Sequence, residues 1–435
     1  MRKKEEVNIF WFRRDLRLRD NRGLLYALQS NKPVIPIFIF DKNILSKLKD
    51  EDDLRVSFIH DAIQELKEEL IELGSDILVY HSTPEEAYKD LCETYTIEEV
   101  FTNEDYEPYA IKRDNKVEKI LKSEDIKFSR YKDHCIFAKN DILKEDGKPY
   151  VVYTPFKNKW LSTLAPKDIA TIETHKFFNN FHKFKAKGFP SLNELGFTYN
   201  EKAKDQVKTI KGKIIDSYDQ NRDIPALDAT SKLGIHLRFG TVSPRKCAQV
   251  GFKRNQVWLS ELIWREFFIQ IMYHFPHVID GPFREKYGQI KWNNDKNLFK
   301  KWCEGKTGYP IVDAGMRELN ETGHMHNRVR MIAASFLVKD LLIDWRWGEE
   351  YFARKLNDFE LASNNGNWQW VAGTGCDAAP YFRIFNPYTQ QKKFDPDFKY
   401  IKKWVPEYGT SEYPNEIIDH KIAYHETLKA YKACE

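Results

Sequence analysis

Four short runs rich in β-branched and aromatic residues occupy residues 1–135, alternating with stretches of helical period, and then the pattern stops. The runs are VNIFWF (7–12), VIPIFIF (34–40), DILVYH (76–81) and EEVFTN (98–103). The clearest helical stretch covers 54–73, where Phe58, Ile59, Ile63, Leu66, Leu70 and Leu73 make one apolar stripe. Strands that alternate with helices pair in parallel and are covered by those helices. The expectation is therefore an α/β domain over 1–135, Rossmann-like but with no GxGxxG after its first strand. Residues 136–200 hold Gly147, Pro149, Pro155, Pro166, Gly188 and Pro190 and read as an irregular connector. From 201 to 435 strand alternation gives way to helical patterns: WLSELIWREFFIQIMYHF (258–275), VDAGMRELNE (312–321) and HMHNRVRMIAASFLVKDLLI (324–343), with Gly323 as a break between the last two. This part is expected to be an all-α domain.

With 435 residues and 42% hydrophobic content the chain has material for two cores. No apolar run approaches the roughly 20 residues of a membrane helix. The charged start MRKKEEVNIFWF lacks the apolar region of a secretion signal. Six cysteines without CxxC spacing point to a reducing cytoplasm, with no disulfide framework and no metal site. A net charge of +4 is too mild to show nucleic-acid binding but leaves room for a local basic patch. Nine of the 11 tryptophans lie from Trp258 onward, so the helical half concentrates the indoles, for packing or for chemistry.

Long motifs say more. DFELASNNGNWQWVAGTGCDAAPYFRIFN (358–386) contains a formal G-x-G-x-x-A at Gly373, Gly375 and Ala378, but no strand precedes it and no evident helix follows, as a dinucleotide loop requires. This segment, MHNRVRMIAASFLVKDLLIDWRWGEEYF (325–352), FWFRRDLRLRDN (10–21), TPFKNKW (154–160), RDIPALDATSKLGIHLRFGTVSPR (222–245) and ELIWREFF (261–268) together resemble the photolyase/cryptochrome family, in the family's order and over nearly the whole chain. The closest likeness is to the class I DNA photolyases that act on cyclobutane pyrimidine dimers. The resemblance implies FAD, reduced in its active form, held by the helical domain. Tyr218, Thr230, Ser231, Lys232, Leu233, Gly234 and Trp258 would hold its phosphates and ribityl chain, Gly234 replacing a more usual serine. Arg330, Asp358, Glu360 and Asn364 would border the isoalloxazine, with Asn364 nearest N5 and Glu360 in place of an aspartate. Read from the residues alone, Ser363 and Asn364 would equally serve as caps and turns. Trp368, Trp345 and Trp292 match an electron relay, with Trp302 as an outer branch, although any one of them alone would be read as core.

The resemblance also assigns the substrate side. Trp264 and Trp370 would wall a pocket for an extruded lesion, and Glu261 would hydrogen-bond it. Arg222, Arg328 and Arg383 would hold phosphates or the lesion edge. Glu261 and Arg265 also stand four apart, as in an ordinary surface ion pair. Asn327 and Met331 share a helix face. The relatives that reverse (6-4) photoproducts carry two histidines there, for proton transfer, whereas splitting a cyclobutane needs only an electron in and an electron back. His326 is expected to be structural. The implied function is light-driven repair of ultraviolet-damaged DNA by a monomer without an obligate protein partner or a membrane, in the cytoplasm and, in a prokaryote, on the nucleoid. A (6-4) photolyase and a flavin photoreceptor of the cryptochrome kind are the alternatives. Most relatives carry a second, light-harvesting chromophore in the α/β domain. YEPYAIKRD (106–114) has Tyr109 and Ala110 where folate-binding relatives have Asn-Glu, which disfavours a folate and leaves a deazaflavin, a second flavin or no antenna open.

Overall fold

The computed structural model describes residues 4–186 and 188–434. All four expected strands form, as β1 (Glu6–Phe12), β2 (Val34–Asp41), β3 (Leu78–Ser82) and β4 (Thr96–Asn103), joined by β5 (Lys127–Tyr131). They make one parallel sheet in the order β3-β2-β1-β4-β5. β1 and β2 read as unbroken apolar runs because they are central and covered on both faces. Alternate side chains serve the two faces. Phe10, Phe12, Phe38 and Phe40 enter one core with Ile63, Leu66 and Leu70 of helix α1 (Leu54–Glu72). Ile9, Trp11, Ile37 and Ile39 enter the other, with Val117 and Leu121 of helix α2 (Pro108–Ser123). β5, sequence KFSRY, is a half-buried edge strand, so it carries no apolar run to predict it by.

The chain folds into two compact units that interleave along the sequence. One comprises Met1–Asp141, Thr163–Ile210 and Lys232–Lys253; the other comprises Ile142–Ser162, Lys211–Ser231 and Arg254–Glu435. In the first, the arginine-rich loop after β1 is pinned by buried charge. Arg245 donates to Asp20 and to Asp133 at 2.8 Å each, Arg17 donates to Asp133, and the Arg22 amide donates to Asp133 at 2.9 Å.

The second unit is helical. Within the segment expected to be irregular, Tyr153–Thr163 forms helix α3. Docking organises it. The Tyr153 hydroxyl donates to the Ser260 carbonyl at 2.9 Å and the Trp160 indole to Glu266 at 2.6 Å, both on helix α4 (Gln256–His274). Helix α5 (Pro310–Thr322) ends at Gly323, whose φ of 70° makes the expected break. The expected helix from 324 is shorter. His326 caps α6 (Asn327–Ser335), and a π turn follows over Phe336–Asp340. α7 (Trp345–Lys355) and α8 (Leu361–Ala372) complete the part that matters here. Among the described residues no helix is long and apolar enough to cross a membrane, and no group of three or more His, Cys, Asp or Glu could hold a metal ion.

His326 carries the structural role expected of it. Its Nδ1 accepts the Arg328 amide at 3.2 Å, which leaves the ring proton on Nε2, buried without a partner. Burial holds the ring down to about 4 from its ordinary 6.5. The unfolded chain therefore binds the extra proton first, so stability is complete above about pH 6.5 and falls as the pH drops toward 4. The shift corresponds to about 3 kcal/mol. His326→Asn keeps a cap acceptor and removes the titration. Urea unfolding at pH 7 and pH 4 should show the variant losing about 3 kcal/mol less than the wild type across that interval.

Candidate functional site

Helices α4, α6 and α8 and the turn before α8 enclose a cavity of about 360 Å³, within the range of small-molecule sites. Close packing of α4 on α8 makes it possible. A Cβ at Gly366 would stand 2.1 Å from the Phe268 ring, so only glycine lets the helices approach there. Gly366→Ala should destabilise the protein by about 1–3 kcal/mol from overpacking, outweighing a helix-propensity gain of about 1 kcal/mol, as thermal unfolding would register.

One part of the wall is polar. Arg330 donates to both Asp358 oxygens, at 3.1 and 2.9 Å, and its Nε donates to the Met325 carbonyl at 2.7 Å. Burial pushes the Asp358 carboxyl up, but the Arg330 guanidinium outweighs it and holds the group below the usual carboxylate range. Asn364 lies inside α8 rather than capping it. Its Nδ2 donates to the Glu349 carbonyl of α7 at 3.1 Å, and the residue lines the cavity. Ser363 is not a cap either; its hydroxyl donates to Glu360 at 3.3 Å. Trp368 backs this wall with 2% exposure.

The other part is aromatic and charged. Trp264 lines the cavity and stacks on Tyr153 with centroids 3.4 Å apart and planes 5° apart, which covers one of its faces. Trp370, Asn327 and Met331 line the same space, and the Asn327 amide faces the Met331 sulfur at 3.9 Å, as their helical spacing predicts. Glu261 does not pair with Arg265. It accepts from Arg222, while Arg265 forms a fork with Glu360 at 3.0 and 3.1 Å. Glu360 thereby ties α4 to the start of α8. Burial pushes the Glu261 carboxyl above its ordinary range although the Arg222 guanidinium pulls it down. Arg328 donates to Asp223 at 2.7 Å and covers the Phe394 ring at 4.5 Å.

The expected residues that meet in this cavity are Arg222, Glu261, Trp264, Asn327, Arg328, Arg330, Met331, Asp358, Glu360, Asn364, Trp368 and Trp370. Several others lie elsewhere. Tyr218 opens a short helix (Tyr218–Asn221), and the Trp258 indole donates to the Ser231 hydroxyl at 3.4 Å beside Thr230. Lys232, with φ 51°, and buried Leu233 lead into a helix starting at Gly234. Arg383 is exposed beside Phe385. Trp345 is buried in the same core as Trp368, and Trp292 is half-buried against Tyr431. Trp302 is wholly buried and meets Trp368 at 6.2 Å, a core position and not an outer one. Sequence reasoning missed Tyr153, Asp223 and Arg265's true partner. Tyr153 precedes the TPFKNKW motif and Asp223 follows Arg222, so both were within reach.

FAD suits the polar wall chemically. The edge of its isoalloxazine bears an N–H donor between two carbonyl acceptors, and Asp358 with Arg330 offers the complementary acceptor and donors. Asn364 adds an amide without fixed charge.

Comparison with known proteins agrees. Residues 8–174 match the family model described as DNA photolyase, and residues 258–411 match the FAD binding domain of DNA photolyase. The chain is 36% identical to a deoxyribodipyrimidine photo-lyase of Vibrio cholerae, over 99% of this chain and 100% of that protein. It is 38% identical to one of Synechococcus, over 95% and 94%. A crystal structure of a class III photolyase from Agrobacterium tumefaciens superposes with a TM-score of 0.88 at 33% identity, covering 100% of this chain and 98% of that one. An archaeal photolyase from Sulfolobus tokodaii, solved with two FAD molecules, gives 0.85 at 34% identity over 98% and 100%. By model match, by full-length identity and by fold, this chain belongs to the DNA photolyase family.

Proposed function

We propose that this protein repairs ultraviolet-damaged DNA in light by splitting cyclobutane pyrimidine dimers. One observation carries the reading: the wall that suits a flavin and the wall that suits a flipped lesion enclose the same cavity. FAD, when bound and reduced, supplies an electron on absorbing light and takes it back. The residues named here do the rest. Arg330, Asp358 and Asn364 orient the flavin ring, and Trp368, Trp345, Trp302 and Trp292 form the oxidisable core behind it. Trp264 and Trp370 present apolar faces to an extruded base, and Glu261 holds a hydrogen-bonding group at its edge. Arg222 and Arg328, already oriented by Glu261 and Asp223, supply the guanidinium groups that phosphate contact requires. Asn327 and Met331 offer no imidazole, so the cavity lacks the proton-transfer pair that a (6-4) product needs. The protein works as a monomer on cytoplasmic DNA.

The test is repair of a thymine cyclobutane dimer in a short duplex by the reduced holoprotein, in blue light and in darkness. Light-dependent return of thymine is expected. Reversal of a (6-4) product alone would redirect the substrate, and no repair of either lesion with reduced FAD bound would reject the enzyme reading for a photoreceptor. Affinity for damaged DNA should fall steeply between 50 and 200 mM salt, in proportion to the phosphates held; a flat dependence would remove Arg222 and Arg328 from the interface.

A further inference from the structure

In an open parallel sheet, ligands sit beyond the carboxyl ends of the strands at the point where the strand order reverses. The order β3-β2-β1-β4-β5 puts that crevice between β1 and β4. Here the chain places its own side chains across it, with half-buried Tyr109 at the centre. Tyr109, in the first turn of α2 after β4, reaches past β1, and its hydroxyl donates to Asp41 at the end of β2. Cations lie against its ring as they would against a bound aromatic: the Lys47 ammonium is 5.5 Å from the ring centroid and the Arg113 guanidinium 5.9 Å. Arg113 and Arg13 each also lie 4.9 Å from the centroid of Trp11 in β1.

The charged groups around the crevice are committed as well. Arg14 donates to Asp105 and Glu107 at 3.1 Å each and to the Arg238 carbonyl at 3.2 Å. Arg238 donates to Glu107 at 2.6 Å, and Arg13 donates to Asp114 and to the Asn103 carbonyl. A phosphate or a pterin edge entering here would have to break an arginine–carboxylate pair and leave a buried carboxylate unpaired.

We propose that Tyr109 is an internal occupant of this crevice, so that the chain carries one chromophore, FAD, and gathers light through it alone. The relative solved with two FAD molecules is the contrast. The inference rests on the photolyase reading, and its readout is separate. Flavin and pterin content per chain is measured on the purified holoprotein, before and after incubation with excess FAD, riboflavin 5′-phosphate or methenyltetrahydrofolate. The expected result is one FAD per chain and no second chromophore, and, where repair occurs, an action spectrum that follows reduced flavin. A second chromophore retained at one per chain by the wild type would overturn the proposal. Tyr109→Ala empties the ring's place and releases the Asp41 carboxylate and the Lys47 ammonium from it, and should bind riboflavin 5′-phosphate at least tenfold more tightly than the wild type. Tyr109→Phe keeps the ring and should stay closed. No gain in Tyr109→Ala, with one FAD still bound, would also overturn it. Failure of dimer repair bears on the enzyme reading and leaves the chromophore count as it is.

Discussion

Asp133→Asn should cost the first unit about 3–5 kcal/mol, the largest loss of stability expected from one substitution in this protein. Asp133 has no exposure, and it accepts from the Arg17 and Arg245 guanidinium groups and the Arg22 amide. Burial raises the cost of its charge, but the two arginines more than offset it and hold the carboxyl far below its ordinary range. A group depressed in this way stabilises the fold fully above its unfolded value, and the contribution is lost as acid protonates it in the folded state. The asparagine keeps the shape but removes the charge, which leaves two guanidinium groups buried against a dipole. Urea unfolding at pH 7 checks this, with the exposed Lys204–Glu201 pair as a control: Lys204→Ala should leave the stability nearly unchanged. A loss for Asp133→Asn as small as the control's would mean that water reaches the network and screens it.

Trp264→Ala should weaken binding of dimer-containing DNA by about 1–3 kcal/mol, roughly 5- to 150-fold, while leaving undamaged DNA unaffected. The difference follows from position. Trp264 lines the cavity and is fixed by Tyr153 stacked on it, with the Phe268 ring 5.6 Å away, so a base that enters the cavity would meet its indole. In the proposed reading, undamaged duplex would meet only phosphate-holding side chains that the substitution does not touch. Trp264→Phe retains an aromatic face and should recover part of the loss. FAD content of each variant separates a lost stack from a collapsed cavity. Equal weakening for damaged and undamaged DNA would show that Trp264 supports the fold and not the lesion.

Much of this was legible in the residues, and the limits have physical causes. β1 to β4 and the helix Leu54–Glu72 show because burial on one or two faces imposes a period on a single segment. β5 and the helix Tyr153–Thr163 do not, because an edge strand and a docked helix draw their stability from neighbours distant in sequence. The site divides in the same way. Asn327 facing Met331 is a local consequence of helical spacing. The same spacing rule applied to Glu261 and Arg265 fails, because partners on other elements, half-buried Arg222 and buried Glu360, compete and win. Desolvation makes a dry pairing worth more than an exposed one.

The sequence by itself determined the order of the elements, the family and the chemical types around the cavity, since these depend on local pattern and on residue identity. Only the tertiary structure decided which charges pair, that Trp264 stacks on Tyr153, that Trp302 is buried against Trp368, and that the Tyr109 hydroxyl meets Asp41. Those outcomes depend on distances between segments a hundred or more residues apart in some pairs, set by which surfaces bury together, and no local pattern encodes them.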